Sequence, residues 1–342
     1  MNGIRLNLLL PAEAAQMIVF ENVSKEYENG ALAVDSLSLQ VSAGEALVLL
    51  GTSGCGKTTT LKMVNRLIEP TRGRISIDGE DIRTQDPIRL RRRIGYAIQE
   101  IGLLPHMTVS ENIAVVPKLL KWPKRRIEER VDELLRLVGL GAEEFHDRYP
   151  SQLSGGQRQR VGVARALAAD PPIILMDEPF GALDPITREQ LQNEFADLLA
   201  NLKKTVIFVT HDIFEAVKIG ERVALLHAGK LQQVDSPAAL VEHPANEFVD
   251  SFLGRHRLVL SLLTATIKSI MPVTPGMVSE PDSVNPKEKL LASDSLLDAL
   301  EVFKRTNQEA LPVFEREAFV SYLKKEVLLR AVTQKAFHEA VT

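Results

Sequence analysis

The chain has 342 residues, 45% of them hydrophobic and 25% charged, which is the composition of a globular protein with a core and excludes a disordered or fibrous chain. The formal net charge of −4 gives no overall electrostatic reason to bind nucleic acid, so we expect no nucleic-acid partner. Cys55 is the only cysteine, which excludes an internal disulfide and suits a reducing compartment. No apolar run reaches the roughly 20 residues that a membrane helix needs, so the chain is not expected to cross a bilayer by itself.

The first strong pattern along the chain is a strand, IVFENV, directly after Met17. The preceding residues, 1–16, carry one basic residue and a short apolar patch, which is too little for a secretory signal. We therefore expect residues 1–16 to be a disordered extension or the product of an upstream start. The sequence does not decide between Met1 and Met17 as the true start.

A glycine-rich loop lies between a predicted strand over residues 45–50 and a helical pattern that begins at Lys57. This is the context that the phosphate-binding pattern G-x-x-x-x-G-K-[ST] requires. The loop comprises Gly51, Thr52, Ser53, Gly54, Cys55, Gly56, Lys57, Thr58 and Thr59. Glycines let backbone N–H groups turn inward around an anion, and the helix N-terminus adds its dipole. The pattern predicts a triphosphate site in which Lys57 reaches the β- and γ-phosphates and Thr58 binds Mg²⁺; the alternative is a glycine turn without a ligand.

Two adjacent acids end a second predicted strand, PPIILMDEP, whose apolar residues indicate a central parallel strand. Open α/β sheets place their ligands at the carboxyl ends of such strands. Alternation along the strand would direct Asp177 and Glu178 to opposite sides. We therefore expect Asp177 to hold Mg²⁺ through water and Glu178 to orient and deprotonate an attacking water. The alternative is an ordinary acidic pair at a strand end.

The segment LSGGQRQR opens a predicted helix with Ser154 as its N-cap. The apolar positions of this helix face a core, while Arg158, Arg160 and Arg165 are expected to point mostly to solvent. A second glycine-rich helix start in a nucleotide-binding chain suggests a second surface that faces phosphate. The alternative is a helix start without a ligand.

These motifs together resemble the ATPase subunit of ABC transporters over residues 17–254. The resemblance rests on LSGGQRQR, on the acid pair that follows it and on the G-x-x-x-x-G-K-T loop that precedes it. It implies an α/β fold with a mostly parallel sheet core, an antiparallel β subdomain and an α-helical subdomain. It also implies that ATP and Mg²⁺ are the cofactors.

The resemblance assigns further site residues within one chain. Tyr27 matches the aromatic residue that stacks on adenine. Gln99, in YAIQE, matches the glutamine that links Mg²⁺ and the attacking water to the transporter contact, and the segment after it begins the subdomain that grips the permease. His211, in TVIFVTHD, matches the histidine that contacts the γ-phosphate, and joins Glu178, Gln99 and Lys57 as an expected catalytic residue.

The resemblance also implies a site shared between two copies of the chain. Members of this family dimerise head to tail around ATP. The signature residues Ser154, Gly155, Gly156 and Gln157 would then close on ATP held by the other chain. Asp184, in GALD, matches the residue that contacts the opposite subunit.

The implied partners are separate transmembrane permease subunits and an extracytoplasmic substrate-binding protein, with the chain itself peripheral at the cytoplasmic face of the inner membrane. Segments such as MVNRLIEPTRGRISIDGEDI look most like importers of glycine betaine, choline and related osmoprotectants. An importer of amino acids or another small solute remains an alternative. A non-transport ABC ATPase is another, although such proteins usually carry two cassettes or a long coiled-coil insertion.

The C-terminal part changes character. Residues 255–286 include four prolines near their end and are expected to be a linker. Residues 287–342 show an α-β-β-α pattern that resembles a single CBS motif, a regulatory region that osmoprotectant ATPases often carry. Such motifs normally come in pairs, and the glycine usual between the two strands is missing from EREAF. The tail could pair with its twin across a dimer or be a structural remnant.

Overall fold

The structure, a computed structural model, describes residues 16–98, 102–181, 185–271 and 288–341. Some expectations fall outside these ranges: the extension over residues 1–15, the roles of Gln99 and Asp184, and the part of the linker over residues 272–286.

The described residues form both strands and helices. The strands are β1 (Gln16–Glu26), β2 (Leu32–Ser42), β3 (Ala46–Gly51), β4 (Arg72–Ile77), β5 (Glu80–Asp81), β6 (Ile94–Ala97), β7 (Ile173–Asp177), β8 (Thr205–Thr210), β9 (Arg222–His227), β10 (Lys230–Asp235), β11 (Leu290–Leu291), β12 (Ala310–Glu315) and β13 (Ala318–Lys324). The helices are α1 (Lys57–Val64), α2 (Pro87–Arg92), α3 (Val109–Leu119), α4 (Lys124–Leu137), α5 (Ala142–Phe145), α6 (Gly155–Leu167), α7 (Pro185–Leu202), α8 (Ile213–Ile219), α9 (Pro237–Glu242), α10 (Glu247–Leu253), α11 (Arg257–Thr264), α12 (Ile267–Ile270), α13 (Leu296–Thr306) and α14 (Lys325–Val341). Within the described ranges, none of these helices is both long and apolar enough to pass through a lipid bilayer.

The central sheet has six strands in the order β10-β9-β3-β8-β7-β6, and its pairs β3–β8, β3–β9, β7–β8 and β6–β7 are parallel. Every residue of β3, β7 and β8 is buried, which explains why these strands read as continuous apolar runs. Because β3, β8 and β7 are neighbours, their last residues, Gly51, Thr210 and Asp177, lie at one edge of the sheet. The fold therefore brings the glycine loop, the acid pair and the histidine turn together.

A second, four-stranded sheet has the order β2-β1-β4-β5 and is antiparallel throughout. Its buried face includes Ile18, Phe20 and Ile75, with Phe20 opposite Ile75 in the register. Tyr27 follows β1 directly. The mostly parallel core and the antiparallel subdomain predicted from the sequence are confirmed.

Helices α3 to α6 form the expected helical part. Helix α3 starts with a capping box in which the Thr108 hydroxyl accepts from Glu111 N and the Glu111 carboxylate accepts from Thr108 N. The fully buried Asn112 side chain accepts from Leu104 N and donates to Leu104 O, so it fastens the preceding segment to the helix.

The arginines of α6 do not point to solvent as expected. Arg158 donates to Leu153 O, Arg160 to Val138 O and Arg165 to Gly102 O. Burial lowers the pKa of Arg165. The apolar periodicity of the helix could not reveal these contacts, because a long guanidinium side chain can reach backbone carbonyls outside its helix, two of them here on distant segments.

Contacts divide the chain into two units, residues 1–232 and 233–342, whereas the sequence predicts that the ATPase domain extends to residue 254. Within the segment 255–286, which the sequence predicts as a linker, the structure forms α11 and α12. Leu262 and Ile267 from these helices belong to the core of the C-terminal unit, together with Phe303, Leu311 and Leu323. The prolines further on suggested a linker, whereas the apolar face of LVLSLL supplies the burial that orders this segment.

The α-β-β-α order predicted for the tail is present as α13, β12, β13 and α14. A short strand that the sequence did not reveal, β11, adds to β12 in parallel. In the turn between β12 and β13, where the CBS resemblance would usually have a glycine, Arg316 takes a left-handed φ of +58°. The hairpin therefore forms without the glycine, although an arginine accepts this conformation less readily.

Candidate nucleotide-binding and hydrolysis site

The glycine loop requires glycine at both of its ends. Gly51 has φ +152° and Gly56 has φ +103°, and a Cβ atom on either would come within 2.2 Å of a carbonyl oxygen, of Leu226 and Ala33 respectively. The backbones of β9 and β2 thus pack directly against the loop. Gly229, in the turn after β9, adds a hydrogen bond from its N–H to Cys55 O at 3.2 Å.

Lys57 places a buried positive charge inside the loop. Its side chain is only 4% exposed, and Nζ donates to Gly51 O at 2.7 Å and to Thr52 O at 3.0 Å. Helix α1 begins at this residue with Gly56 as N-cap and without a side-chain cap. The N–H groups of its first turn are therefore left for an external anion. This bare, positively charged concavity fits the phosphates of a nucleotide.

Cys55 fills space in this loop. Its side chain is buried, and burial raises the pKa of the thiol. A thiol with a raised pKa is a poor nucleophile. Cys55 therefore serves as a small filler residue in this loop.

Thr58 and Asp177 meet across the site. The Thr58 hydroxyl donates to Asp177 Oδ1 at 2.8 Å, and Asp177 is only 3% exposed. Burial raises the pKa of Asp177, and the hydrogen bond from Thr58 offsets part of that shift. A hydroxyl and a carboxylate beside a phosphate loop are the oxygen ligands that Mg²⁺ prefers.

Glu178 and His211 form the second pair of the site. His211 Nδ1 lies 3.1 Å from Glu178 Oε2, and the Glu178 side chain is 19% exposed. The two acids have different partners, as expected, but strand alternation is not the cause. Strand β7 ends at Asp177, and Glu178 takes a left-handed φ of +44° that turns the chain out of the strand. Such strain in a non-glycine residue occurs preferentially at functional sites.

Tyr27 and Thr59 mark the side of the loop that faces β1. The Tyr27 hydroxyl lies 3.4 Å from Thr59 Oγ1, and the side chain is 40% exposed. Lys25 Nζ lies 5.4 Å from the centre of the Tyr27 ring. An exposed aromatic ring next to a phosphate loop can stack on a nucleobase.

The signature residues lie on a different element, at the start of α6. Ser154 and Gln157 form a capping box, with Ser154 Oγ accepting from Gln157 N and Gln157 Oε1 accepting from Ser154 N. The predicted N-cap is confirmed. These hydrogen bonds stay within the helix start, whereas the contacts above link the loop, Asp177, Glu178 and His211 around the edge of the central sheet.

Sequence reasoning missed a buried acid behind this site. Glu215 of α8 is 6% exposed and accepts hydrogen bonds from Thr210 and Gln192. Its signal in the sequence is weak: it stands four residues before the buried Ile219, on the apolar face of a short helix. Also unforeseen is an aromatic cluster of Phe180, Phe195 and Phe208, with ring centres 5.6 to 6.4 Å apart.

Replacing Asp177 with asparagine should stabilise the nucleotide-free protein. Asparagine keeps an oxygen for the Thr58 hydroxyl but removes the charge that burial disfavours. Because burial raises the pKa of Asp177, the ionised carboxylate opposes folding at neutral pH, and this effect disappears once the pH falls low enough to protonate the group in both states. We expect the midpoint of thermal unfolding to rise by about 2–4 °C at pH 8, and this charge-dependent gain to shrink as the pH falls and to vanish below about pH 3. Calorimetry over this pH range tests it, and an unchanged midpoint at pH 8 contradicts it.

The model of one family, ABC transporter, matches residues 34–181. The chain is 53% identical, over 85% of its length and 76% of the relative's, to a glycine betaine/carnitine/choline transport ATP-binding protein of Bacillus subtilis (strain 168). A choline transport ATP-binding protein of the same strain is 49% identical over 91% of this chain and 79% of its own. An osmoprotectant import ATP-binding protein of Salmonella typhimurium (strain LT2) is 52% identical over 78% of this chain and 71% of its own length.

Among solved structures, the fold matches the ATP-binding cassette MJ0796, described as a dimer in a post-hydrolysis state bound to ADP and Pi. The match has a TM-score of 0.58 and 37% identity, and it covers 64% of this chain and 98% of the cassette. The geometry of the glycine loop and the Thr58–Asp177 and Glu178–His211 pairs are consistent with the family that the family model and the relatives indicate. The chain belongs to the ABC transporter family, as an ATP-binding subunit that hydrolyses ATP.

Proposed function

We propose that this subunit powers the import of glycine betaine, choline or a related quaternary-amine osmoprotectant. The observation that carries the proposal is the set of relatives at about half identity over most of the chain, whose names specify these solutes. The ATPase does not itself bind the solute, so the proposal rests on this likeness and not on site chemistry.

In the proposed reaction, the chain's own groups position and stabilise rather than form bonds to phosphate. Lys57 and the N–H groups of the loop and of α1 hold the phosphates, and Tyr27 stacks on the base. Glu178 orients the attacking water and accepts its proton, while His211, beside it, donates to the γ-phosphate. Bound Mg²⁺, for which Thr58, Asp177 and Gln99 are the expected ligands, supplies charge that neutralises the phosphate oxygens.

Two copies of the chain complete two sites in the proposed cycle. Ser154, Gly155, Gly156 and Gln157 of one copy would cover ATP bound to the loop of the other, and Asp184 would contact the opposite copy. The dimeric state of the cassette MJ0796 supports this arrangement. ATP binding would close the pair and hydrolysis would release it.

The proposed permease contact lies at a cavity of about 290 Å³ beside α3. Arg91, Arg92 and Tyr96, which precede Gln99 in the chain, line it together with Arg165 of α6. The chain would sit as a peripheral subunit at the cytoplasmic face of the inner membrane. An extracytoplasmic substrate-binding protein would deliver the solute, and the CBS-like tail would regulate transport.

Uptake of radiolabelled glycine betaine and choline tests this function in cells that lack the chain, with and without its return, at low and high osmolarity. We expect uptake only when the intact chain is returned, and none when a Glu178→Gln variant is returned at equal abundance. Polyamine uptake serves as the competing assay, because a spermidine/putrescine import ATP-binding protein of Chromobacterium violaceum is 43% identical over 74% of this chain. Dependence of polyamine uptake alone would replace the proposal with that second candidate.

A further inference from the structure

We propose that Glu215 is a positioning residue for hydrolysis: its buried side chain holds the turn that carries His211, and so keeps the imidazole beside Glu178. The inference rests on the role proposed above for His211. Glu215 does not touch the expected position of the phosphates, and it would act only through the turn.

The turn in question connects β8 to α8 and consists of Thr210, His211 and Asp212. The Thr210 hydroxyl donates to Glu215 Oε2 at 2.5 Å and accepts from Asp212 N at 3.0 Å. Asp212 Oδ1 in turn caps α8 by accepting from Phe214 N and Glu215 N. His211 is therefore flanked by two residues whose positions are fixed, although its own side chain is 58% exposed.

The direction of these hydrogen bonds is determined by chemistry. Because Asp212 N can only donate, the oxygen of Thr210 is its acceptor, and the Thr210 hydroxyl donates its own proton to the Glu215 carboxylate. The other oxygen of Glu215 accepts from Gln192 Nε2 at 2.8 Å. A side chain at position 215 must therefore present an acceptor to Thr210, at a depth where an unsatisfied donor is costly.

Gln192 links this turn to the helix that also supports Glu178. Gln192 lies on α7, and the Phe195 ring one turn later contacts Phe180, which follows Glu178 by two residues, with ring centres 5.6 Å apart. One helix thus braces both members of the Glu178–His211 pair. Helix α7 therefore supports the segments that carry His211 Nδ1 and Glu178 Oε2, the two atoms that must stay about 3 Å apart.

Burial makes an ionised acid at this position unfavourable. Glu215 is 6% exposed, and burial raises its pKa, with the nearby Asp212 carboxylate adding to the shift and the Arg188 charge opposing it. A fold that needed only packing would be better served by an apolar residue here. The turn requires a hydrogen-bond acceptor for the Thr210 hydroxyl, and this requirement explains why residue 215 has a carboxyl group.

Steady-state ATP hydrolysis by the full chain tests the inference. We expect Glu215→Ala to lower kcat by about 10- to 100-fold while KM for ATP changes less than about twofold, because a shift of the order of 1 Å at the reacting groups has effects of this size. Glu215→Gln should recover activity to within about threefold: its carbonyl accepts from Thr210, and the Gln192 amide can flip to accept from the new NH₂ group. Thermal unfolding and ATP binding of each variant establish that it is folded.

A double-variant cycle separates positioning from general destabilisation. In a His211→Ala background, Glu215→Ala should cost less than about twofold, because the side chain being positioned is gone. Equal losses in both backgrounds would overturn the inference, as would a Gln variant as slow as the Ala variant. If Glu215→Ala does not fold, Thr210→Val against Thr210→Ser asks the same question, and equal rates for those two would contradict it.

These outcomes are separate from those of the transport proposal. The assay contains neither permease nor solute, so failure of osmoprotectant uptake leaves it unaffected. A His211→Ala variant with the wild-type rate would remove the role of His211 and this inference with it. A slow His211→Ala variant beside a fully active Glu215→Ala variant would overturn this inference alone.

Discussion

Glu178→Gln should slow ATP hydrolysis by about 10²-fold or more while leaving ATP binding intact. Glutamine has nearly the shape of glutamate but cannot accept the proton of an attacking water. The side chain lies next to His211, at 3.1 Å, and at the end of the strand that carries Asp177, so the change removes one group without altering the loop that binds phosphate. Because closure would no longer be followed by hydrolysis, an ATP-bound dimer should accumulate.

Two measurements check this prediction: the steady-state rate, and the elution volume on size exclusion in the presence of ATP. Glu189→Gln is the matched control, because it makes the same chemical change at an exposed position of α7 and should retain the wild-type rate. Undiminished turnover in Glu178→Gln would remove Glu178 from the role of general base.

Ser154→Arg should abolish hydrolysis and spare ATP binding to the monomer. Ser154 caps α6, and its hydrogen bonds within the cap are to Gln157 and not to the loop that would hold nucleotide in the same chain. An arginine there would place a long charged side chain where, in the proposed dimer, the partner's triphosphate is covered. Nucleotide binding by isolated chains, measured by fluorescence of an ATP analogue, should stay within about threefold of wild type because no binding group is removed.

Mixing the two inactive variants, Glu178→Gln and Ser154→Arg, tests directly whether two chains share each site. In a mixed dimer, one site combines an intact Glu178 from the first chain with an intact Ser154 from the second, and the other site lacks both. Random pairing makes half of the dimers mixed, and each mixed dimer has one intact site. If the sites act independently, the initial rate, before Glu178→Gln chains accumulate in ATP-bound dimers, should be about a quarter of the wild-type rate. A site built within one chain would give no recovery at all, and retained activity of Ser154→Arg alone would also argue against sharing.

The parts of the fold that the sequence predicts best are those whose signal is local. The glycine loop, the buried strands and the cap at Ser154 each depend on a few neighbouring residues, and the structure has them where the patterns indicate. The α-β-β-α order of the tail is of the same kind. In these segments, the spacing of apolar residues and the residues typical of turns and helix caps predict the same local structure.

The features that the sequence does not predict depend on contacts between distant segments. Gln192 and Glu215 are 23 residues apart and meet only because α7 packs against α8. Arg160 and Arg165 of α6 reach carbonyls of distant segments. The helices over residues 257–270 are ordered by a core whose other members follow them in the chain. Periodicity reports which face of an element is buried, not which partner buries it.

The capping box at Ser154 has a consequence for how a dimer would assemble. The serine oxygen accepts a hydrogen bond from Gln157 N, and a hydroxyl group that accepts one hydrogen bond can still donate another. The same atom can thus stabilise its helix and offer a donor to a partner's phosphate, without any rearrangement. We therefore expect the entropic cost of association at this surface to be small, because the recognition geometry already exists in the unpaired chain.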